Sequence, residues 1–104
     1  MKYDEEKLRI DPTSKRLELV IDGYTAFIEY KLSDHTLFLI HTEVPQELEG
    51  KGVGGAIVQK ALQYAKDSDY KIVPLCPFVR SYLERHKEWN EIVAPDANRF
   101  MNNL

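Results

Sequence analysis

One cysteine, Cys76, is all that the 104-residue chain contains, so no disulfide can form within it. No apolar run approaches the roughly 20 residues needed to cross a bilayer, which argues against a membrane partner. The first residues, Met1-Lys2-Tyr3-Asp4-Glu5-Glu6, lack the apolar stretch of a secretory signal. Together these absences lead to the expectation of a reducing, cytoplasmic setting. A basic excess is missing too: 14 basic side chains face 17 acidic ones, a net charge of −3. A dedicated nucleic-acid binder usually shows the opposite balance, so no nucleic-acid partner is expected. There is no repeat and no low-complexity segment. Glycine is scarce, at five residues, yet Gly50, Gly52, Gly54 and Gly55 fall within six positions.

The composition that is present, 43% hydrophobic and 30% charged, is that of a folded domain. The length fits a single domain over residues 1–104. A weak strand is expected at Lys7–Ile10, broken by Pro12-Thr13-Ser14. Arg16–Ile21 reads as a strand, turned by Asp22-Gly23 into a second, Tyr24–Leu32, in which apolar and polar residues alternate. After the turn at Ser33-Asp34-His35, Thr36–Glu43 carries the continuous apolar run Leu37-Phe38-Leu39-Ile40. That run suggests a central strand covered on both faces. From Gly52 to about Lys66 the apolar period becomes helical. A short strand, Tyr70–Val73, and a second helix, Pro77–His86, follow, with Pro77 in the first turn, where its missing N–H costs little. Residues 95–104 read as a weakly structured tail with a short helix from Pro95 to Met101. The order implies a mixed α+β domain: an antiparallel meander, a crossover helix, a strand parallel to Thr36–Glu43, and a closing helix.

Glycines cost entropy in regular structure, so four of them before a helix need a reason. A helix start offers free N–H groups and the positive end of the helix dipole, which together hold anions such as phosphate. Gly50, Gly52 and Gly55 satisfy the spacing of a dinucleotide fingerprint, and Asp69 lies near the distance of a ribose ligand. The context contradicts that reading, because Pro45–Glu49 separates strand from glycines and three antiparallel strands come first. No Gly-Lys-Ser/Thr closes a P-loop.

A strand ending in Glu43-Val44-Pro45, a short loop and a glycine-rich helix start, followed by Val73-Pro74-Leu75-Cys76-Pro77-Phe78-Val79, Tyr82 and Arg85-His86-Lys87, resemble the short stand-alone members of the GNAT acetyltransferase superfamily. The resemblance covers roughly Leu17 to Trp89. It implies a truncated GNAT-like fold and an N-acetyltransferase that uses acetyl-CoA, with CoA as product. Glu47 departs from the pattern, which has Gln or Arg three residues before the first glycine. The helical pair after the first strand and a clear final pair of strands are also missing.

By that resemblance the N–H groups of Gly50, Lys51, Gly52, Val53, Gly54 and Gly55 would hold the CoA pyrophosphate, with a charge added by Lys51 and by Arg80. Val44 would lie beside the pantetheine arm and offer its N–H to the thioester carbonyl. His41 and Glu43, two residues apart on one face, are alternative bases for an incoming ammonium, or a plain surface pair. Cys76 and Pro77 would sit near the CoA sulfur. Cys76 is then a nucleophile, a partner for disulfide exchange with CoA, or a pocket wall. Tyr82 is a candidate acid for the departing thiolate, or core. His86, with Arg85 and Lys87, caps the helix C-terminus. No metal-ligand spacing occurs. The partners implied are acetyl-CoA and an amine acceptor, a small amine or a peptide lysine, with the acidic balance favouring a basic acceptor. The chain is expected as a monomer or weak dimer. A non-catalytic CoA-binding module, or an interaction domain using the exposed sheet face, would suit the missing acceptor elements.

Overall fold

Alternation of apolar and polar residues sorts the N-terminal strands into a sheet with one buried face. The computed structural model of the chain describes residues 2–101. Strands β1 (Arg9–Asp11), β2 (Arg16–Ile21), β3 (Tyr24–Ser33) and β4 (Thr36–Glu43) form an antiparallel meander. Helix α1 (Val53–Asp67) then leads to β5 (Lys71–Pro74), which lies parallel to β4 at the edge of the sheet. Helix α2 (Pro77–Arg85), a 3-10 segment at Lys87–Ile92 and a single helical turn, α3 (Asn98–Met101), complete the described chain. This is an arrangement of mixed α+β type, with spatial order equal to chain order.

Local chemistry sets the turns. Asp22 and Gly23 both take positive φ, 54° and 82°, as a two-residue type I′ hairpin requires. Asp11 accepts hydrogen bonds from the N–H groups of Thr13 at 3.0 Å and Ser14 at 3.3 Å, which reverses the chain after β1. On the buried face Leu17 and Leu19 of β2, Ala26 and Ile28 of β3, and Leu37 and Leu39 of β4 pack under Ile57, Val58, Ala61 and Leu62 of α1. Val79 and Leu83 of α2 join the same core.

The opposite face is covered at one end only. Val73 and Phe38 pack there against Ala94 and Ala97, and Phe100 meets Phe38 edge-on at 5.0 Å. Val93 bridges Ile72 in parallel, and the Ala94 N–H donates to the Ile72 carbonyl at 2.8 Å. The segment after Trp89 therefore blunts the outer edge of β5, and it is packed as far as Met101. Residues 102–104 of the expected tail lie outside the described residues.

The expectation that Leu37–Ile40 is covered on both faces holds for Phe38 and fails at Ile40, which is 40% exposed. The cause is a bulge. Glu29 pairs with His41 while Tyr30 pairs with Leu39, so Ile40 is an extra residue in β4. The bulge resets which side chain faces which side. Thr42, opposite buried Ile28, turns toward the helices, whereas His41 and Glu43, opposite Glu29 and Phe27, turn to the open face.

Candidate functional site

The bulge coincides with the point where β5 leaves β4. The last paired residues are Leu39 and Pro74. The Leu39 carbonyl then accepts from the N–H groups of Leu75 at 2.9 Å and Cys76 at 3.0 Å, ending the ladder. β4 runs on to Glu43, and among the described residues no strand pairs with Ile40–Glu43 on that side. A slot results, with the turn into α2 as its other wall.

The chain leaves the slot through Val44-Pro45 and a 3-10 turn at Gln46–Leu48, pinned by buried Leu48. It then reaches the glycines. Gly50 and Gly52 take φ of 76° and 77°, a left-handed conformation that glycine adopts without Cβ strain. Gly52 caps α1 with no side chain bonding the first turn, and no acidic residue stands in that turn. The first N–H groups of a 15-residue helix are thus left without a side-chain partner at the positive dipole end, with no carboxylate in that turn.

Gly54 and Gly55 serve a second purpose. A Cβ on Gly54 would lie 2.6 Å from Cζ of Phe78, and one on Gly55 would lie 3.9 Å from Cε2 of Tyr82. These two glycines let α2 approach the start of α1. A cleft of about 370 Å³ lies between the helices, with Gly52, Gly55, Tyr82 and His86 in its wall. The Tyr82 and His86 rings stack at 4.1 Å. Burial, and then the Glu88 charge, push the Tyr82 phenol above its ordinary value against a smaller opposing pull from Arg85. Tyr82 therefore carries its proton at neutral pH and is a hydrogen donor.

Cys76 is the N-cap residue of α2, followed by Pro77 in the first turn. The residue is 3% exposed, and its thiol donates to Thr42 Oγ1 at 3.4 Å. The contact joins the two walls of the slot on the helix side. His41 Nε2 and Glu43 Oε2 lie 3.9 Å apart on the open face, both exposed. The bulge thus divides the candidate chemical groups between the two sides of the sheet, with His41 and Glu43 on one and Cys76 and Tyr82 on the other.

Arg80 departs from its expected place. One of its amino groups donates to the Leu75 carbonyl at 3.3 Å, which braces the β5–α2 turn. Its side chain lines a different cleft, of about 380 Å³, between α2 and the C-terminal segment, alongside Leu83, Val93 and Met101. It does not reach the glycine-loop cleft. Thr42 and Phe78, conversely, carried no expectation as site residues. Only the bulge aims Thr42 at Cys76, and only the missing Cβ of Gly54 seats Phe78.

A sequence-family profile described as GCN5-related N-acetyl-transferase matches residues 16–92, most of the chain. Among solved structures, the solution structure of a GCN5-like protein from Staphylococcus aureus, presented as a candidate N-acetyltransferase, is similar. It superposes with a TM-score of 0.63 at 25% sequence identity, over 85% of this chain and 89% of that one.

Proposed function

The chain belongs to the GCN5-related N-acetyltransferase family, and from that premise we propose that it transfers the acetyl group of acetyl-CoA to an amine. The observation that carries this reading is that β4 outlasts β5 shortly before a glycine-built helix start that has no side-chain cap. An anionic pyrophosphate suits that start, because its donors are backbone N–H groups with no nearby carboxylate in the first turn. Gly50, Lys51, Gly52 and Val53 are the groups assigned to it. The arm of the cofactor would then lie in the slot beside Val44, next to the Thr42–Cys76 contact.

Acetyl-CoA, when bound, supplies an activated thioester carbonyl. The acceptor is assigned to the open face, where Glu43 takes a proton from the ammonium with His41 at its side. A β4 backbone N–H, with Val44 the assigned residue, polarises the carbonyl. The amine nitrogen bonds to the carbonyl carbon, the carbon–sulfur bond breaks, and Tyr82 gives its phenolic proton to the leaving thiolate, while the second proton of the attacking nitrogen is released and a proton returns from solvent to the phenolate. Its raised pKa keeps the phenol protonated in the resting site, so the proton is in place when the thiolate forms. Cys76 is assigned as a slot wall, because its thiol is buried and bound to a neutral hydroxyl.

Thermal shift with CoA, acetyl-CoA and NAD tests the cofactor, and thiol release with a panel of amines tests the reaction. Stabilisation by the CoA compounds alone, with thiol released only when amine is present, is the expected result. Glu43→Gln should then lower release by about 10²-fold while CoA affinity stays unchanged. No stabilisation by CoA would sink the reading. Stabilisation without thiol release for any amine would make the chain a CoA-binding module instead.

A further inference from the structure

The cleft beside the glycine loop is larger in its chemistry than a pyrophosphate cradle needs. Besides the glycine start of α1, its wall contains Lys2, Tyr3 and Asp4 from the N-terminus, Lys51 from the loop and Lys60 from the second turn of α1 onward. The N-terminal residues lie outside the stretch that matches the family profile, and they are tied in place. Tyr3 packs against the core, and its hydroxyl donates to the Lys51 carbonyl at 2.7 Å. Lys2 is held with its ammonium 5.6 Å from the Tyr3 ring centre. Among the described residues none of the three lysines is in an ion pair. Asp4 is the one carboxylate among the described residues lining the cleft, and His86 adds a further donor.

We infer that this cleft holds a second anionic group of the same ligand, the phosphomonoester on the ribose of CoA, and that residues 2–4 are part of the binding site. The inference rests on the CoA reading above. One helix start accounts for a pyrophosphate. Three lysines without an ion pair among the described residues line the adjoining cleft from three separate pieces of chain, which matches one more phosphate at that end of the molecule. Tyr3 is the positioning residue: through the Lys51 carbonyl it fixes both the N-terminal lysine and the loop lysine against α1.

Calorimetric titration with CoA and with 3′-dephospho-CoA separates this site from the pyrophosphate cradle. The wild-type chain should bind CoA about tenfold more tightly than dephospho-CoA. Lys2→Ala and Lys60→Ala should each erase about threefold of that preference while leaving dephospho-CoA affinity as it was. Tyr3→Phe should act in the same direction without altering the residues that carry charge, and circular dichroism of each variant shows that it is folded. Equal binding of the two compounds by the wild-type chain overturns the inference and leaves the CoA reading standing. Binding of neither overturns both.

Discussion

Replacing Gly52 by alanine isolates backbone strain from crowding. Gly52 sits at φ 77° and ψ 12°, and a Cβ built there meets nothing within 4 Å. The cost is therefore conformational: about 1–2 kcal/mol for an L-residue in the left-handed region. Alanine also restricts the unfolded chain, which offsets roughly 0.4–1 kcal/mol. The net loss is on the order of 1 kcal/mol, or about 4–8 °C in Tm for a domain of this size. Gly54→Ala is the contrasting change. Gly54 is inside α1, where alanine is favoured by about 1 kcal/mol. Its Cβ would fall 2.6 Å from Phe78 Cζ, the far end of a flexible side chain that is 41% exposed. The ring can swing away, so propensity and lost contact nearly cancel. Urea denaturation of both variants, with Tm as a second measure, reads the difference. A Gly52→Ala protein as stable as wild type would refute the left-handed cap. A Gly54→Ala protein that loses more than Gly52→Ala would show that Phe78 cannot move, and that the contact between the helices is rigid.

Tyr82→Phe should reduce the turnover number for acetyl transfer by about 10²-fold with little change in KM for acetyl-CoA, since only the proton donor is lost; steady-state thiol release measures both. Burial is the main cause that pushes the phenols of Tyr30, Tyr64 and Tyr82 up from 10.0. Their folded pKa values exceed the unfolded ones, so the stability they contribute is full below pH 10 and falls as pH rises beyond it. Urea midpoints measured between pH 8 and 11.5 should show a decline that begins near 10, and a flat profile would count against their burial. Leu39→Ala, at a fully buried site beside the slot, should cost about 2–5 kcal/mol in a chemical denaturation series.

What the sequence could reveal followed from periodicity and turn chemistry. The alternation in Arg16–Ile21 and Tyr24–Leu32, the Asp22-Gly23 turn and the 3.6-residue pattern after Gly52 each report a local preference that the packed structure keeps. The crossover helix then forces the last strand parallel to β4. The bulge at Ile40 was hidden, because Leu37-Phe38-Leu39-Ile40 reads as one uniform run and a bulge depends on how β3 pairs with it. Arg80 was expected, by the family resemblance, to add a charge for the CoA phosphates. Its guanidinium instead turns toward the Leu75 carbonyl, a choice between two sides of α2 that sequence spacing does not encode. The packing of Ala94, Ala97 and Phe100 was equally invisible, since small residues and one aromatic show no period. Tyr3 belongs to the same class: a contact across 48 residues leaves no local trace.

The bulge also gives the site its logic. Without the extra residue, strict alternation would place His41 and Glu43 on the face of Leu37 and Leu39, under the helices and away from an acceptor. With it, that buried face receives Thr42, which bonds Cys76 and narrows the slot, and the open face receives a carboxylate and an imidazole. One inserted residue thus prepares two sides for two partners. An anionic cofactor is assigned to the helix side, where the α1 start is positive, and a cationic amine to the open side, where Glu29 and Glu43 stand on neighbouring strands. The thioester would meet the amine only through the gap left by β5. The proposed route for transfer then requires that the gap stay open. Leu75 and Cys76, fastened to the Leu39 carbonyl and braced by Arg80, hold it at that width.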